Sequence, residues 1–228
     1  MPKSITLYHG SDHIIPQPSL GKGKITNDYG QGFYCTAHYP LACEWAAKDA
    51  NCPSYVNEYQ LDLTNLNVLD LSAPSYNTLH WITLLLENRT FPATSPLSLQ
   101  SKEYLMEHFH LDVSTYDVIR GCRADDSYFS FAKDFINNTI SVQHLAHAMK
   151  LGKLGIQYML RTDKAFSHLQ YVGTQEVDTI TYHAKYLQRD LKARNDYNNS
   201  RTGMILHPDE LYILDIIRGG INDGDPRL

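Results

Sequence analysis

The first sixty residues carry short apolar runs separated by glycine and proline. Three of these runs predict strands: Ser4 to Tyr8, Phe33 to Thr36 and, with imperfect alternation, Tyr55 to Leu63. The first run leads into Gly10, and residues 11–32 hold enough glycine and proline to predict a loop. Pro40 suits the first turn of a helix continuing through Lys48, because its missing N–H would lack an intrahelical partner there anyway.

The middle of the chain changes to helical spacing, as in Phe129, Ala132 and Phe135. Four segments predict helices in this way: Tyr76 to Asn88, Leu99 to Phe109, Asp126 to Asn137 and Val142 to Leu151. Two further segments predict strands: Tyr116 to Ile119 and Gln157 to Arg161. A long helix is expected from Thr179 to Arg194, with Ile180, Ala184, Leu187 and Leu191 on one face. Leu211 to Ile217 is ambiguous, and its spacing favours a helix.

Strands and helices do not alternate regularly, so the sequence predicts an α+β fold rather than an all-parallel α/β fold. At 228 residues with 43% hydrophobic residues, the chain can bury a substantial core. We therefore expect a single domain over residues 1–228, with a helical insertion at about 75–152.

The formal charge of −5 gives no general attraction to phosphate backbones or anionic membranes, so a nucleic-acid substrate would need a local basic patch. The four cysteines form no C-x-x-C pair, and we interpret them as free thiols in a reducing compartment. The N-terminus lacks an apolar signal core, and no stretch approaches the roughly 20 apolar residues that span a bilayer. The expectation is a cytoplasmic protein without a membrane partner.

Two glycine-bearing blocks are the candidates for chemistry: Leu7-Tyr8-His9-Gly10-Ser11 and Asp28-Tyr29-Gly30-Gln31-Gly32-Phe33-Tyr34. A flat ring with a carboxamide needs backbone donors and acceptors that no side chain obstructs, and Gly10 suits that role. The Tyr34 ring could lie against such a ring, and His9 offers a hydrogen bond to a ribose hydroxyl. These features point to NAD. The alternative is structural, since a histidine at a strand end and glycines in a turn are common in proteins that bind nothing.

The same blocks, followed by a helix with Ala42 and Trp45, resemble the ADP-ribosyltransferases of the diphtheria-toxin and poly(ADP-ribose) polymerase type, in their H-Y-[E/Q] form. Tyr116 to Tyr128 and Leu151 to Phe166 resemble more closely the bacterial DUF3990 family, which is grouped with these transferases. The resemblance runs from Ile5 to Tyr171, with a weaker part in Leu211 to Leu228. It implies a split β-sheet core around an NAD cleft, with the helical insertion covering one side.

The resemblance assigns roles to residues. His9 would bind a ribose, Gly10 would hold the carboxamide, and Tyr34 and Trp45 would enclose the nicotinamide ring. Ser11 and Gly32 complete the expected NAD-binding set.

The third signature position is usually a glutamate, but this chain has Gln157 there. The Gln157 amide can hold a ribose hydroxyl, yet it lacks the charge that stabilises a developing cation. Glu176 is the nearest downstream acid.

Three residues at the start of the helix predicted from Asp126 border the expected acceptor side: Arg123, Asp125 and Asp126. The aspartates are equally well explained as helix-capping residues. A metal site is not expected, because His144 and His147, like His108 and His110, lack a completing ligand pattern. The basic residues among tyrosines in 182–197 are better explained by a solvated helix face than by nucleic-acid binding.

The resemblance thus implies an NAD-dependent ADP-ribosyltransferase that cleaves the nicotinamide-ribose bond and modifies a protein or nucleic-acid acceptor. Genomic analogy adds a small antitoxin protein as a possible partner. Two alternatives stay open. The cleft would hydrolyse NAD without an acceptor, or it would be a catalytically silent module that binds NAD or a partner.

Overall fold

A seven-stranded sheet organises the chain in the computed structural model, which describes residues 3–91, 95–124, 126–151, 155–202 and 209–228, with 126–128 and 201–202 described by backbone alone. The strands are β1 Ser4–Ser11, β2 Phe33–Thr36, β3 Tyr55–Asp62, β4 Val68–Asp70, β5 Val118–Cys122, β6 Ile156–Leu160 and β7 Leu169–Glu176. Their order across the sheet is β4-β5-β6-β2-β1-β3-β7. The β4–β5 pair is parallel and the other pairs are antiparallel.

The first helix, α1 Tyr39–Ala46, follows β2. Two helices lie between β4 and β5: α2 Thr78–Asn88 and α3 Pro96–His108. The others are α4 Asp126–Ile136, α5 Val142–Ala148, α6 Asp163–Ser167, α7 Thr179–Thr202 and α8 Ile213–Arg218. Local chemistry fixes several starts. The Asn77 side chain accepts the N–H groups of Leu79 and His80, and Ser95 caps α3 just before Pro96. None of the described helices combines the length and apolarity needed to cross a membrane.

Both faces of the sheet are covered by apolar packing. Ile119 of β5 and Met159 of β6 face the larger core, which the helices α2, α4, α5 and α8 complete. Their neighbours Val118 and Leu160 point to the other face and join Leu7 in a smaller cluster. This alternation follows from the two-residue period of a strand. The two-sided packing holds β6, and with it Gln157, in the interior of the sheet.

The sequence predicted most of these elements with errors of a few residues at the ends, including the helix in Leu211 to Ile217, which the structure has at Ile213–Arg218. The largest error is in α7, which was expected to end at Arg194 and continues to Thr202. Three short or irregular elements were not predicted: β4, α6 and β7. The mixed α+β class is confirmed. The expected apolar face of α7 exists, but it is exposed, with Ile180 at 80%, Leu187 at 52% and Leu191 at 60% accessibility.

The centre of the sheet contains a seam between β1 and β2. These strands pair at a single register position, Tyr8 opposite Thr36, whereas β1 and β3 pair at eight positions. The same register places Gly10, two residues after Tyr8, opposite Tyr34, two residues before Thr36, and these two residues are not paired. Both Gly10 and Tyr34 line the cavity that opens at this seam.

Candidate functional site

The seam opens into a cavity of about 700 Å³. Its walls come from the end of β1, the loop 12–32, β2, α1 and the start of β6. This volume lies within the range of small-molecule sites, and the long loop without regular structure is typical of binding loops. The loop is fastened to the sheet, because the Ile15 N–H donates to the Asn57 side chain over 2.8 Å and the Tyr59 hydroxyl donates to the Ile15 carbonyl.

His9 lies at the seam with its imidazole against the Phe33 ring, at a centroid distance of 4.4 Å and an interplanar angle of 28°. Its Nδ1 is 2.7 Å from the Tyr34 carbonyl oxygen. Since a carbonyl only accepts, Nδ1 carries the proton, and in the neutral ring Nε2 is an acceptor. Burial lowers the pKa of His9, although the Tyr34 carbonyl acts in the opposite direction. The site therefore holds a neutral imidazole with one acceptor nitrogen.

The Tyr34 hydroxyl is engaged by the turn that precedes β2. It donates to the Gly30 carbonyl over 2.7 Å and accepts the Tyr29 N–H over 3.0 Å. Burial raises the pKa of Tyr34, so the phenol stays protonated. The hydroxyl thus fixes the ring in place at the wall of the cavity.

Gly10 and Gly32 are required by packing. A Cβ at Gly10 would lie 2.0 Å from the Ala42 carbonyl oxygen and 2.6 Å from the Ala46 nitrogen, both in α1. A Cβ at Gly32 would lie 2.7 Å from the Leu160 carbonyl oxygen in β6. The close approach of backbone to backbone explains both glycines without a ligand, and in each case it shapes the cavity wall.

Trp45 of α1 reaches the cavity, where the Arg123 guanidinium lies 4.0 Å from the centre of its ring. This is a cation–π arrangement. The Trp45 indole N–H is buried and has no hydrogen-bond partner among the described residues. One face of the expected aromatic wall is therefore already in contact with a cation.

Asp28 is a buried carboxylate of the cavity, with 6% of its surface exposed. Its Oδ2 accepts the Gln157 side-chain amide over 3.0 Å and the Ala124 N–H over 2.9 Å. Its Oδ1 accepts Arg89 over 3.0 Å. Burial raises the pKa of Asp28, and these hydrogen bonds together with the charges of Arg89 and Arg123 oppose the rise. Sequence reasoning assigned no role to Asp28, although it stands directly before the Tyr-Gly-x-Gly block.

The cavity is basic although the chain as a whole is acidic. Among the described residues, its lining includes five basic side chains and two acidic ones: Lys22, Lys24, Lys48, Arg89 and Arg123, with Asp12 and Asp28. A cleft lined by one sign of charge concentrates ligands of the opposite sign. This lining suits an anionic ligand such as a diphosphate.

Most residues that the sequence singled out lie on this one cavity: His9, Gly10, Ser11, Gly32, Tyr34, Trp45, Arg123 and Gln157. Glu176 does not line it, since it ends the edge strand β7, is exposed and pairs with Tyr55. Asp126 begins α4, where only its backbone is described, and Asp125 lies outside the described residues.

The histidine pairs are engaged in packing. His144 Nε2 lies 3.1 Å from the Ser200 hydroxyl, and His110 Nε2 lies 3.3 Å from Glu87. Within the part of the chain that the structure describes, no group of three potential metal ligands occurs.

The basic residues of α7 form local ion pairs. Lys192 contacts Asp196, and Arg194 contacts Asp190. Arg189 pairs with Glu44 of α1. These pairs agree with a solvated, packed helix.

A protein-family model described as "Protein of unknown function (DUF3990)" matches residues 5–171. The chain belongs to this family. The match runs from the second residue of β1 through β6 to the third residue of β7, and it contains every cavity residue discussed above. Neither the curated proteins nor the solved structures contain a match to this DUF3990 protein.

Proposed function

We propose that this DUF3990 protein binds NAD in the seam cavity, cleaves its nicotinamide-ribose bond and transfers ADP-ribose to a protein or nucleic acid. The observation that carries the proposal is the meeting of His9, Tyr34 and Gln157, from three different strands, on one basic cavity at the seam. These are the positions that the resemblance to ADP-ribosyltransferases assigned to the H-Y-[E/Q] signature.

The adenosine side of NAD fits the state of His9. A ribose hydroxyl donates a hydrogen bond readily, and the neutral imidazole has Nε2 as an acceptor because Nδ1 is bound to the Tyr34 carbonyl. The lowered pKa of His9 keeps that acceptor available at neutral pH. The lysines and arginines of the cavity then balance the charge of the diphosphate.

The nicotinamide side fits the seam itself. The register places Gly10 opposite Tyr34 at the seam without strand pairing, and the Tyr34 carbonyl already binds His9 Nδ1. A carboxamide would therefore direct its donor and its acceptor to the main chain of Gly10. The Tyr34 ring provides an apolar wall held by its hydroxyl, and Trp45 provides an indole that already attracts a cation. A positively charged pyridinium ring would favour the same indole.

The reaction breaks the bond between C1′ of the ribose and the ring nitrogen. The bonding electron pair leaves with nicotinamide, which becomes neutral, and the positive charge passes to the ribose. A nucleophilic atom of the acceptor then forms a bond to C1′ and loses its proton. Gln157 would hold the 2′-hydroxyl through its amide oxygen, since its amide nitrogen is bound to Asp28. Orientation and electrostatic stabilisation would supply the rate.

The proposal is tested by incubating the protein with NAD labelled in the adenylate part, alone and with cell extract, and by measuring nicotinamide release and the fate of the label. Label on protein or nucleic acid supports the proposal. Stoichiometric free ADP-ribose without labelled macromolecules would instead indicate an NAD hydrolase. Binding of NAD without nicotinamide release would indicate a silent module.

Two histidine variants provide a matched comparison. His9→Ala removes the ribose acceptor, whereas His13→Ala changes an exposed histidine four residues away that does not line the cavity. We expect labelling to disappear in the first variant and to persist in the second. Persistent labelling in His9→Ala would refute the proposed site.

A growth experiment tests the proposed toxin role. If the acceptor is essential to the host, expression of the wild-type protein slows growth and expression of His9→Ala does not. Coexpression of a candidate antitoxin would restore growth.

A further inference from the structure

The acid that the third signature position lacks is present elsewhere in the cavity. Gln157 occupies that position on β6, and its amide nitrogen lies 3.0 Å from Oδ2 of Asp28 in the loop before β2. The two residues are 129 positions apart in the chain. Both are buried, with 3% of Gln157 and 6% of Asp28 exposed, so the contact is shielded from solvent.

The bonds around Asp28 fix the orientation of the Gln157 amide. An ionised carboxylate accepts hydrogen bonds and cannot donate them, so the amide nitrogen faces Asp28 and the amide oxygen points away. The Arg89 guanidinium and the Ala124 N–H bind the same carboxylate and favour its ionised form. Asp28 therefore acts on Gln157 as a fixed acceptor.

We propose that Asp28 is a positioning residue of the reaction: it directs the Gln157 amide oxygen toward the ribose and provides the negative charge that the glutamine lacks. This inference rests on the proposed function, which requires NAD cleavage in the same cavity. The carboxylate acts through Gln157 and through space, and it forms no covalent bond. In the usual signature one glutamate both holds the ribose and supplies the negative charge. Here Gln157 would hold the ribose and Asp28 would supply the charge.

A merely structural role for Asp28 predicts different results. Its bonds to Arg89 and to the Ala124 N–H connect the loop before β2 to two other segments, so its loss is expected to affect stability in either case. A positioning role additionally lowers kcat in molecules that remain folded. It also predicts that moving the carboxylate to position 157 restores activity.

The experiment compares Asp28→Asn, Gln157→Glu and the double variant in nicotinamide release, with Asp62→Asn at the remote end of β3 as the control. We expect kcat to fall about 10²-fold in Asp28→Asn, the scale seen when one preorganised electrostatic group is removed, with KM changed less than about threefold. In Gln157→Glu two carboxylates face each other and share a proton, so activity falls at neutral pH and its optimum shifts. The double variant should recover to within about tenfold of the wild type.

Two results would overturn the inference. One is an Asp28→Asn protein that is folded and has the kcat of the wild type. The other is a double variant no more active than either single variant. Equal kcat in the wild type and Asp62→Asn is expected, because Asp62 is exposed and lies outside the cavity.

NMR spectroscopy tests the contact between Gln157 and Asp28 independently of activity. In protein labelled with ¹⁵N at glutamine, the side-chain amide signal of Gln157 is identified by its absence in Gln157→Glu. That signal should shift with pH as Asp28 titrates, and the shift should vanish in Asp28→Asn. A Gln157 signal that does not respond to pH or to the Asp28 substitution refutes the inference. Absence of nicotinamide release in the wild type refutes the proposed function instead, whatever the amide signal does.

Discussion

Replacing Gly10 by alanine would place a methyl group against the backbone of α1. The new Cβ would lie 2.0 Å from the Ala42 carbonyl oxygen and 2.6 Å from the Ala46 nitrogen. Carbon atoms do not approach such atoms much closer than 3 Å, so β1 and α1 must separate by about 1 Å. Because the obstructing atoms belong to a helix backbone, rotation of a side chain cannot relieve the contact.

The free-energy cost follows from this geometry. Extra methyl groups in well-packed interiors cost about 1–3 kcal/mol, and we expect the upper end here. For a chain of this length, 1 kcal/mol shifts Tm by about 2–4 °C, so Gly10→Ala should lower Tm by roughly 6–12 °C. Thermal unfolding followed by circular dichroism measures the shift.

Gly173 is the matched control. It also lies in a strand, β7, but a Cβ there would meet no atom within 4 Å. Gly173→Ala should therefore change Tm by less than about 3 °C, or raise it slightly through the unfolded state. A Gly10→Ala protein that melts within 2 °C of the wild type would refute the claim that packing on α1 requires this glycine.

Three further predictions concern the cavity. Burial lowers the pKa of His9, so the unfolded chain takes up this proton at a higher pH than the folded one, and stability is lost as pH falls below about 6.5. In urea unfolding below about pH 6.5, His9→Gln should reduce the change of unfolding free energy with pH by up to about 1.4 kcal/mol per pH unit. An unchanged pH dependence would contradict the lowered pKa of His9. Tyr34→Phe leaves two backbone groups without their hydroxyl partner and should cost roughly 1–3 kcal/mol in urea unfolding, while nicotinamide release per folded molecule persists. Arg123→Ala removes the guanidinium from the Trp45 ring, so calorimetric titration should show that affinity for a non-cleavable NAD analogue rises relative to affinity for ADP-ribose. An unchanged ratio of these two affinities would count against Trp45 as a wall of the nicotinamide site.

The sequence predicted the long, strongly periodic elements because their local pattern is sufficient. It did not predict β4, which has only three residues, Val68–Asp70, and depends on parallel pairing with a distant strand. It also did not predict β7, an edge strand that contains Gly173 and pairs with β3 across a register shift. Elements of this kind are stabilised by their neighbours rather than by local preference.

The candidate site shows the same division. The pattern of the short blocks around His9 and Tyr34 left a structural alternative open, and the family resemblance of these blocks predicted one cavity for both residues, which both line. The contact of Asp28 with Gln157 joins positions 129 apart, and no spacing rule connects them. Likewise, the contact of Arg123 with Trp45 depends on the approach of a loop to α1. The exposed stripe of α7 had the pattern of a buried helix face, because periodicity identifies a face and not its surroundings.

The seam between β1 and β2 has a mechanical consequence. Past Tyr8 and Thr36, the two halves of the sheet are joined through the His9 imidazole and the Tyr34 carbonyl instead of a continuous ladder. A ligand that bridges Gly10 and Tyr34 would add the missing connection between the two halves. We expect ligand binding to slow amide hydrogen exchange in both halves of the sheet, including strands that do not contact the ligand.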